Sequence, residues 1–256
     1  MNIKPFAVVS VLLATGLGLA ACGTRPGSAA TPPAQASPAD TLTTALAALK
    51  NTGYDATLTI PAQGATVTTS VDYANKAATQ TVYLGGQTPY KAFTEIGSDL
   101  WFKADFGPMN QNLNIDKATW YKVDASKLTP ATLPFDLSGS GQPRPTAPIA
   151  WPLGIGAVFA NTANVTRTDA THLAGVVDLT KAEASGKSSG TDAAAPFTAT
   201  LDGQGRLTEL KITGATLNLG ITFSHYGSPT PIAAPAPGGV LPAPDALYQA
   251  LSGTSG

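Results

Sequence analysis

A chain of 256 residues with a net charge of −1 and 12% charged residues lies well under the roughly 25% charge usual in soluble domains. It has no basic surplus to hold nucleic acid or to steer onto anionic lipid. Its single cysteine excludes an intrachain disulfide, so core burial must supply the stability, and a hydrophobic fraction of 43% excludes wholesale disorder.

Lys4 is the only charge before an uncharged run from Pro5 to Gly23 that holds Phe6, Val8, Val9, Val11, Leu12, Leu13, Leu17 and Leu19. A short basic head, an apolar core and small residues before a cut site describe a secretory signal peptide. The run stops short of the roughly 20 apolar residues that a membrane-spanning helix needs. It ends in Leu19-Ala20-Ala21-Cys22, which resembles the bacterial lipobox. That resemblance implies cleavage before Cys22 and acylation of its thiol, and so a lipid-anchored protein on the outer side of the cell membrane.

The expected organisation is a signal peptide at 1–21, a flexible tether at 22–37, a folded domain at 38–232 and a Pro/Gly/Ala-rich tail at 233–256. The tether is polar and flexible, with Arg25 its sole charge. The domain opens on a helix: Ser37 caps it, Pro38 suits its first turn, Leu42, Leu46 and Leu49 share a face, Lys50 sits at its negative end and Gly53 stops it.

Beyond Gly53 the period changes to two. Tyr54, Ala56, Leu58 and Ile60 alternate with Asp55, Thr57 and Thr59. Val67, Thr69, Val71 and Tyr73 share a face opposite Thr68, Ser70 and Asp72. Further strands are expected at 79–84, 90–96, 100–104 and Trp120–Val123. Six prolines, at 130, 134, 143, 145, 148 and 152, make the next stretch a long irregular connection. A short helix is expected at 153–160, with Leu153, Val158 and Phe159 as its apolar residues.

In the second half Leu173, Gly175, Val177 and Leu179 share one strand face. Phe197, Ala199 and Leu201 lead into the hairpin turn Asp202-Gly203-Gln204-Gly205 and out through 206–212. Leu217, Leu219, Ile221 and Phe223 then alternate with Asn218, Gly220, Thr222 and Ser224. The tail is expected to be mobile, with one helical turn at Asp245–Leu251. The fold class is therefore α+β: a large curved antiparallel sheet, a half-barrel, whose concave apolar face is covered by a few helices.

The Leu-rich helix ending Asn51-Thr52-Gly53 is followed by a strand pair, by Asp99-Leu100-Trp101-Phe102, by Trp120-Tyr121 and by the proline-rich crossing. The chain then closes on Ala199-Thr200-Leu201-Asp202-Gly203-Gln204-Gly205-Arg206-Leu207 and Phe223-Ser224-His225-Tyr226-Gly227. Over about 38–232 this order resembles the actinobacterial LppX–LprAFG lipoprotein family, whose shape is similar to the LolA and LolB carriers. The resemblance implies an apolar cavity between sheet and helices that takes acylated lipids or glycolipids for carriage through the envelope. It carries over one residue, the lipobox cysteine, to Cys22. It implies as partners such a lipid, the membrane through the anchor and an envelope lipid exporter, and not nucleic acid. Strand parity nominates Leu58, Val67, Val71, Val177, Leu210, Leu219, Ile221 and Phe223 as cavity residues.

Enzymatic readings are weaker. Gly186-Lys187-Ser188-Ser189-Gly190 has the Gly-x-Ser-x-Gly pattern, but its flanks are loop-like and lack the strand and helix that strain a nucleophile elbow. His172 and His225 stand in no ligand-spaced cluster, and His225 continues the parity of Leu219, Ile221 and Phe223 to the end of an apolar face. Trp101, Trp120 and Trp151 suit core packing better than sugar stacking, and the sequon Asn164-Val165-Thr166 carries little in a bacterial lipoprotein. No catalytic residue, metal or cofactor is expected. The alternative to a carrier is an anchored interaction module with a solid core.

Overall fold

The computed structural model describes residues 36–49, 51–86, 88–128, 159, 161–182, 192–215 and 218–251. The signal peptide, Cys22, the tether up to residue 35, the proline-rich connection, Trp151, Ser188 with its flanking glycines and Leu217 lie outside them.

Helix α1 is Pro38–Ala48. The Ser37 hydroxyl accepts from the Asp40 amide at 3.1 Å and donates to the Asp40 carboxylate at 2.7 Å, which satisfies an orphan donor of the first turn and sets an acid at the positive end of the helix dipole. Leu42 and Leu49 are buried in the main apolar cluster as the helical spacing predicts, while Leu46 is partly buried against it and Ala45 takes the inner position.

The strands are β1 Tyr54–Ile60, β2 Ala65–Asp72, β3 Ala77–Leu84, β4 Pro89–Ile96, β5 Asp99–Ala104, β6 Trp120–Val123, β7 Thr162–Arg167, β8 His172–Val177, β9 Ala195–Leu201, β10 Leu207–Thr213, β11 Asn218–Ser224 and β12 Val240–Pro242. They form one open, curved sheet in the order β12-β6-β5-β4-β3-β2-β1-β11-β10-β9-β8-β7. Two meanders, β1 to β6 and β7 to β11, are thus sewn together along one antiparallel seam, β1 against β11. Every pair is antiparallel except β12 on β6, which makes the sheet mixed rather than purely antiparallel.

The structure differs from the sequence expectation in four places. The sequence gives no sign of β7, because as the last strand of the sheet it has no fully buried residue and shows no apolar alternation. Asn164 adopts a left-handed φ of 53° beside a register shift, which also breaks the period. Leu179 does not extend β8. Asp178 accepts from the Thr180 amide and hydroxyl, and this cap turns the chain into helix α3, Leu179–Ala182. Helix α2 is a single turn, Met109–Asn112, after β5. Of the helix expected at 153–160 only Phe159 is described, helical and buried.

The fourth difference is the tail, whose helical turn is present as α4, Asp245–Leu251, with Leu247 fully buried. It is docked as well: β12 takes the open edge of β6, with Val240 opposite Trp120 and Leu241 opposite Tyr121. The Asp124 amide donates to the Tyr248 hydroxyl at 2.9 Å. An unpaired strand edge offers a row of backbone donors and acceptors, and a short extended segment satisfies them.

Candidate functional site

The register lays the inner face out in rows that cross the strands. One row runs Val82, Val67, Leu58, Ile221, Leu210, Ala199 and Leu173, from β3 to β8. None of these side chains is more than 4% exposed. Four of the eight nominated residues therefore stand side by side across the β1–β11 seam. Leu219 lies one row away, opposite Ile212, which faces Phe197 and then Gly175. A Cβ on Gly175 would come within 2.8 Å of the Phe197 ring and 3.0 Å of the Ala163 carbonyl oxygen, so only glycine leaves room for that ring. Phe159 meets Phe197 edge-to-face at 5.1 Å. Phe223 and Val71 lie on the other side of the aliphatic row, and Val177 lies toward the far edge opposite Ala195. All eight belong to one buried apolar cluster that also takes in α1.

The inner face is not uniformly apolar. A second row runs Phe223, Ala56, Thr69, Gln80, Phe93, Phe102 and Tyr121, and its Thr69 and Gln80 are 4% and 2% exposed. The next row begins with Tyr54, opposite Val71. Tyr54 is 0% exposed, and its hydroxyl is buried with no hydrogen-bond partner. Burial drives the pKa of that hydroxyl well above the usual tyrosine range, with Tyr73 and Tyr226 adding to the effect. Phe223 meets the Tyr54 ring edge-on at 6.0 Å and Tyr226 lies at 6.1 Å. The Tyr226 hydroxyl is already committed, donating to the Leu207 carbonyl at 2.6 Å. Lys91, on the same face of β4, is half-buried, and desolvation lowers its pKa. Its ammonium sits 5.8 Å from the centre of the Phe93 ring. Strand parity puts Tyr54 and Thr69 on the inner face, whereas Gln80 and Lys91 are placed there by the register alone.

No protein-family model and no curated protein matches the chain. Among solved structures it is similar to the lipoprotein LppX of Mycobacterium tuberculosis, at 14% identity over 77% of this chain and 98% of that one, with a TM-score of 0.45. It is similar to LprF of Mycobacterium bovis at 17% identity over 78% and 97%, with a TM-score of 0.47. The complex of MucA and MucB from Pseudomonas aeruginosa follows at 10% identity over 78% and 59%, with a TM-score of 0.32. LppX and LprF bear the names of the family that the sequence resembles. The fold description rests on the strand pairing itself.

The outer face and the strand ends hold the remaining candidates. His225 does not cap an apolar face. β11 ends at Ser224, and His225 turns to a left-handed φ of 52°, which carries its ring off the strand parity into solvent. Its Nδ1 lies 2.9 Å from Asp55 Oδ2, and Thr230 donates to the same carboxylate through its hydroxyl at 2.6 Å and its amide at 3.0 Å. Desolvation pushes the Asp55 pKa up, but the hydrogen bonds from Thr230, Ser70 and His225 outweigh it and leave the carboxyl below its ordinary range. His172 repeats the arrangement at the start of β8, with Nδ1 2.8 Å from Asp169. Hydrogen bonds led by the Thr171 amide hold the Asp169 pKa at about 2. The Ser224 hydroxyl is 3.3 Å from Nδ1 of His225, the nitrogen that also meets Asp55. A triad needs its serine on the other nitrogen, so this cluster ties strand ends together.

Trp101 is buried on the outer face, with the Lys122 ammonium 6.0 Å from its ring, and Lys103 stands 5.9 Å from Trp120. An open groove of about 770 Å³ runs between β6 and the C-terminal segment, lined in part by Lys122, Asp124, Lys127, Leu241 and Tyr248. Its cations are engaged within the protein, Lys122 with Asp99 at 2.8 Å and Lys127 with Asp245 at 3.8 Å. Residues more than a hundred positions apart build it, so no local pattern announces it.

Proposed function

We propose that this protein is a lipid-anchored envelope lipoprotein that binds acylated lipids or glycolipids against the inner face of its sheet and carries them through the envelope, handing them to or from an envelope exporter. The observation that carries the reading is the aliphatic row Val67, Leu58, Ile221 and Leu210 across the central seam, continuous over four strands and interrupted by no polar group. A buried acyl chain gains about 0.8 kcal/mol per CH₂, so a chain of about sixteen carbons brings on the order of 12 kcal/mol of gross driving force. Such a ligand needs little polar recognition for affinity. The lipobox Leu19-Ala20-Ala21-Cys22 supports the anchor and the extracytoplasmic location.

A second reading, an anchored interaction module with a filled core, is favoured by the depth of burial: none of the eight nominated side chains is more than 7% exposed. Native mass spectrometry of the purified chain together with three tryptophan variants separates the two. The carrier reading expects a bound lipid mass in the wild type. It also expects Leu219→Trp and Ile221→Trp to melt near the wild-type temperature while losing that mass. A filled core expects no lipid and a cost of about 1–3 kcal/mol from overpacking. Thr222→Trp, on the exposed face between Ile221 and Phe223, is the control and changes neither. The anchor is tested separately: Cys22→Ala should release the protein from the membrane and abolish labelling by a clickable fatty acid.

A further inference from the structure

The Tyr54 hydroxyl poses a specific problem for a protein of this kind. Burying a hydroxyl without a partner costs the full desolvation of that group, and buried polar groups in native proteins are almost always paired. Tyr54 is fully buried, stands on the inner face between Val71 and Phe223, and has no hydrogen-bond partner for its hydroxyl. Of its polar neighbours Tyr73 and Tyr226 neither bonds to that hydroxyl, and Tyr226 already donates to the Leu207 carbonyl. Phenylalanine would fill the same volume at no such cost, so a tyrosine here is explained by a partner that arrives with a ligand. Thr69, two positions along β2 from the residue opposite Tyr54, and Gln80 opposite Thr69 extend a buried polar line from the same point. The aliphatic row lies beside that line.

We propose that Tyr54 is the polar contact of the bound lipid, its hydroxyl donating a hydrogen bond to the carbonyl of an ester- or amide-linked acyl chain whose hydrocarbon lies along Val67, Leu58, Ile221 and Leu210. The inference rests on the lipid-binding reading and adds a chemical class to it. The ligand is an acyl lipid with a carbonyl at the head of its chain, and an ether-linked lipid of the same length is discriminated against. A tyrosine hydroxyl can donate and accept, but an ether oxygen is a poorer acceptor than a carbonyl and lies displaced from where the carbonyl oxygen stands.

The test is a competition, read by native mass spectrometry on the full chain in mild detergent, between a diacylglycerol and the ether-linked dialkylglycerol of matched chain length. The wild type should prefer the diacyl compound by about fivefold to tenfold, the worth of one buried hydrogen bond. Tyr54→Phe should lose that preference, bind the ether lipid as well as the wild type does, and melt at or above the wild-type temperature, because the unmatched hydroxyl is gone. A variant that keeps the preference for diacylglycerol would overturn the assignment. So would one that melts well below the wild type, since its hydroxyl would then have a partner within the protein. A wild type that takes up neither lipid would instead overturn the lipid-binding reading, and the assignment of Tyr54 with it.

Discussion

The centre of the sheet and its β3 to β6 wing obey the same alternation yet present different inner surfaces. Across β2, β1, β11 and β10 one inner row is Val67, Leu58, Ile221 and Leu210, with no ring in it, and the rings of Phe223 and Tyr54 stand one and two rows away. Across β4, β5 and β6 they are Phe93, Phe102 and Tyr121. Phe93 and Phe102 lie 4.8 Å apart, and Phe102 reaches Phe106 at 6.1 Å, which in turn meets Tyr90 at 4.9 Å. The wing closes on its own rings and has the character of a filled core. The centre offers slender aliphatic side chains on a broad surface, which suits a hydrocarbon chain. A period of two decides which residues face inward, and side-chain shape decides what that face can do.

Substitutions can break or sharpen this contrast. The largest effect should come from Phe102→Ala, which removes the ring at the middle of the wing. It should cost about 3–5 kcal/mol in chemical denaturation, whether or not lipid is present, and a wing that also held ligand would show a smaller loss once lipid was stripped. Next is Gly175→Val, whose side chain meets Phe197 and the Ala163 carbonyl oxygen. It should cost about 1–3 kcal/mol by overpacking, read as a drop in the denaturation midpoint at unchanged slope.

Asp55→Asn should be smaller, about 1 kcal/mol near neutral pH, because the carboxylate anchors Thr230 and His225 at the end of the β1–β11 seam. Its signature is the pH profile. The Asp55 pKa is lowered in the folded state, so its contribution is complete above the unfolded carboxylate pKa of about 4 and is lost as the pH falls through the folded value. The variant should therefore show a flatter acid limb in melting temperature below about pH 4. Smallest of all, Thr222→Trp on the exposed face should move stability by no more than about 0.5 kcal/mol.

The elements that were legible beforehand are those whose neighbours impose a plain period. Leu219, Ile221 and Phe223 are buried and Thr222 is exposed, because β11 has one face in the core and one in water. The Ser37 cap and the Leu42 face of α1 follow from helix geometry alone. His225 was misread because parity holds only while the backbone stays extended, and a left-handed residue ends it. Leu179 was misread because the Asp178 side chain competes successfully with the next rung of the ladder. Tyr54 was placed on the correct face, but its unpartnered hydroxyl depends on what surrounds it in space, and sequence gives no reading of that.

Taken alone, the sequence determined the signal-like N-terminus and its one cysteine, the faces of most strands and the capped helix. These are properties of neighbours along the chain, governed by hydrophobic periodicity and local capping. Tertiary structure decided the seam that joins β1 to β11 and the docking of β12 on the open edge of β6. It also decided the alignment of four aliphatic residues into one row and the burial of a tyrosine hydroxyl without a partner. Each of these brings together backbone and side chains far apart in sequence, where strand-edge hydrogen bonding and shared burial choose the partners and local propensity has no say.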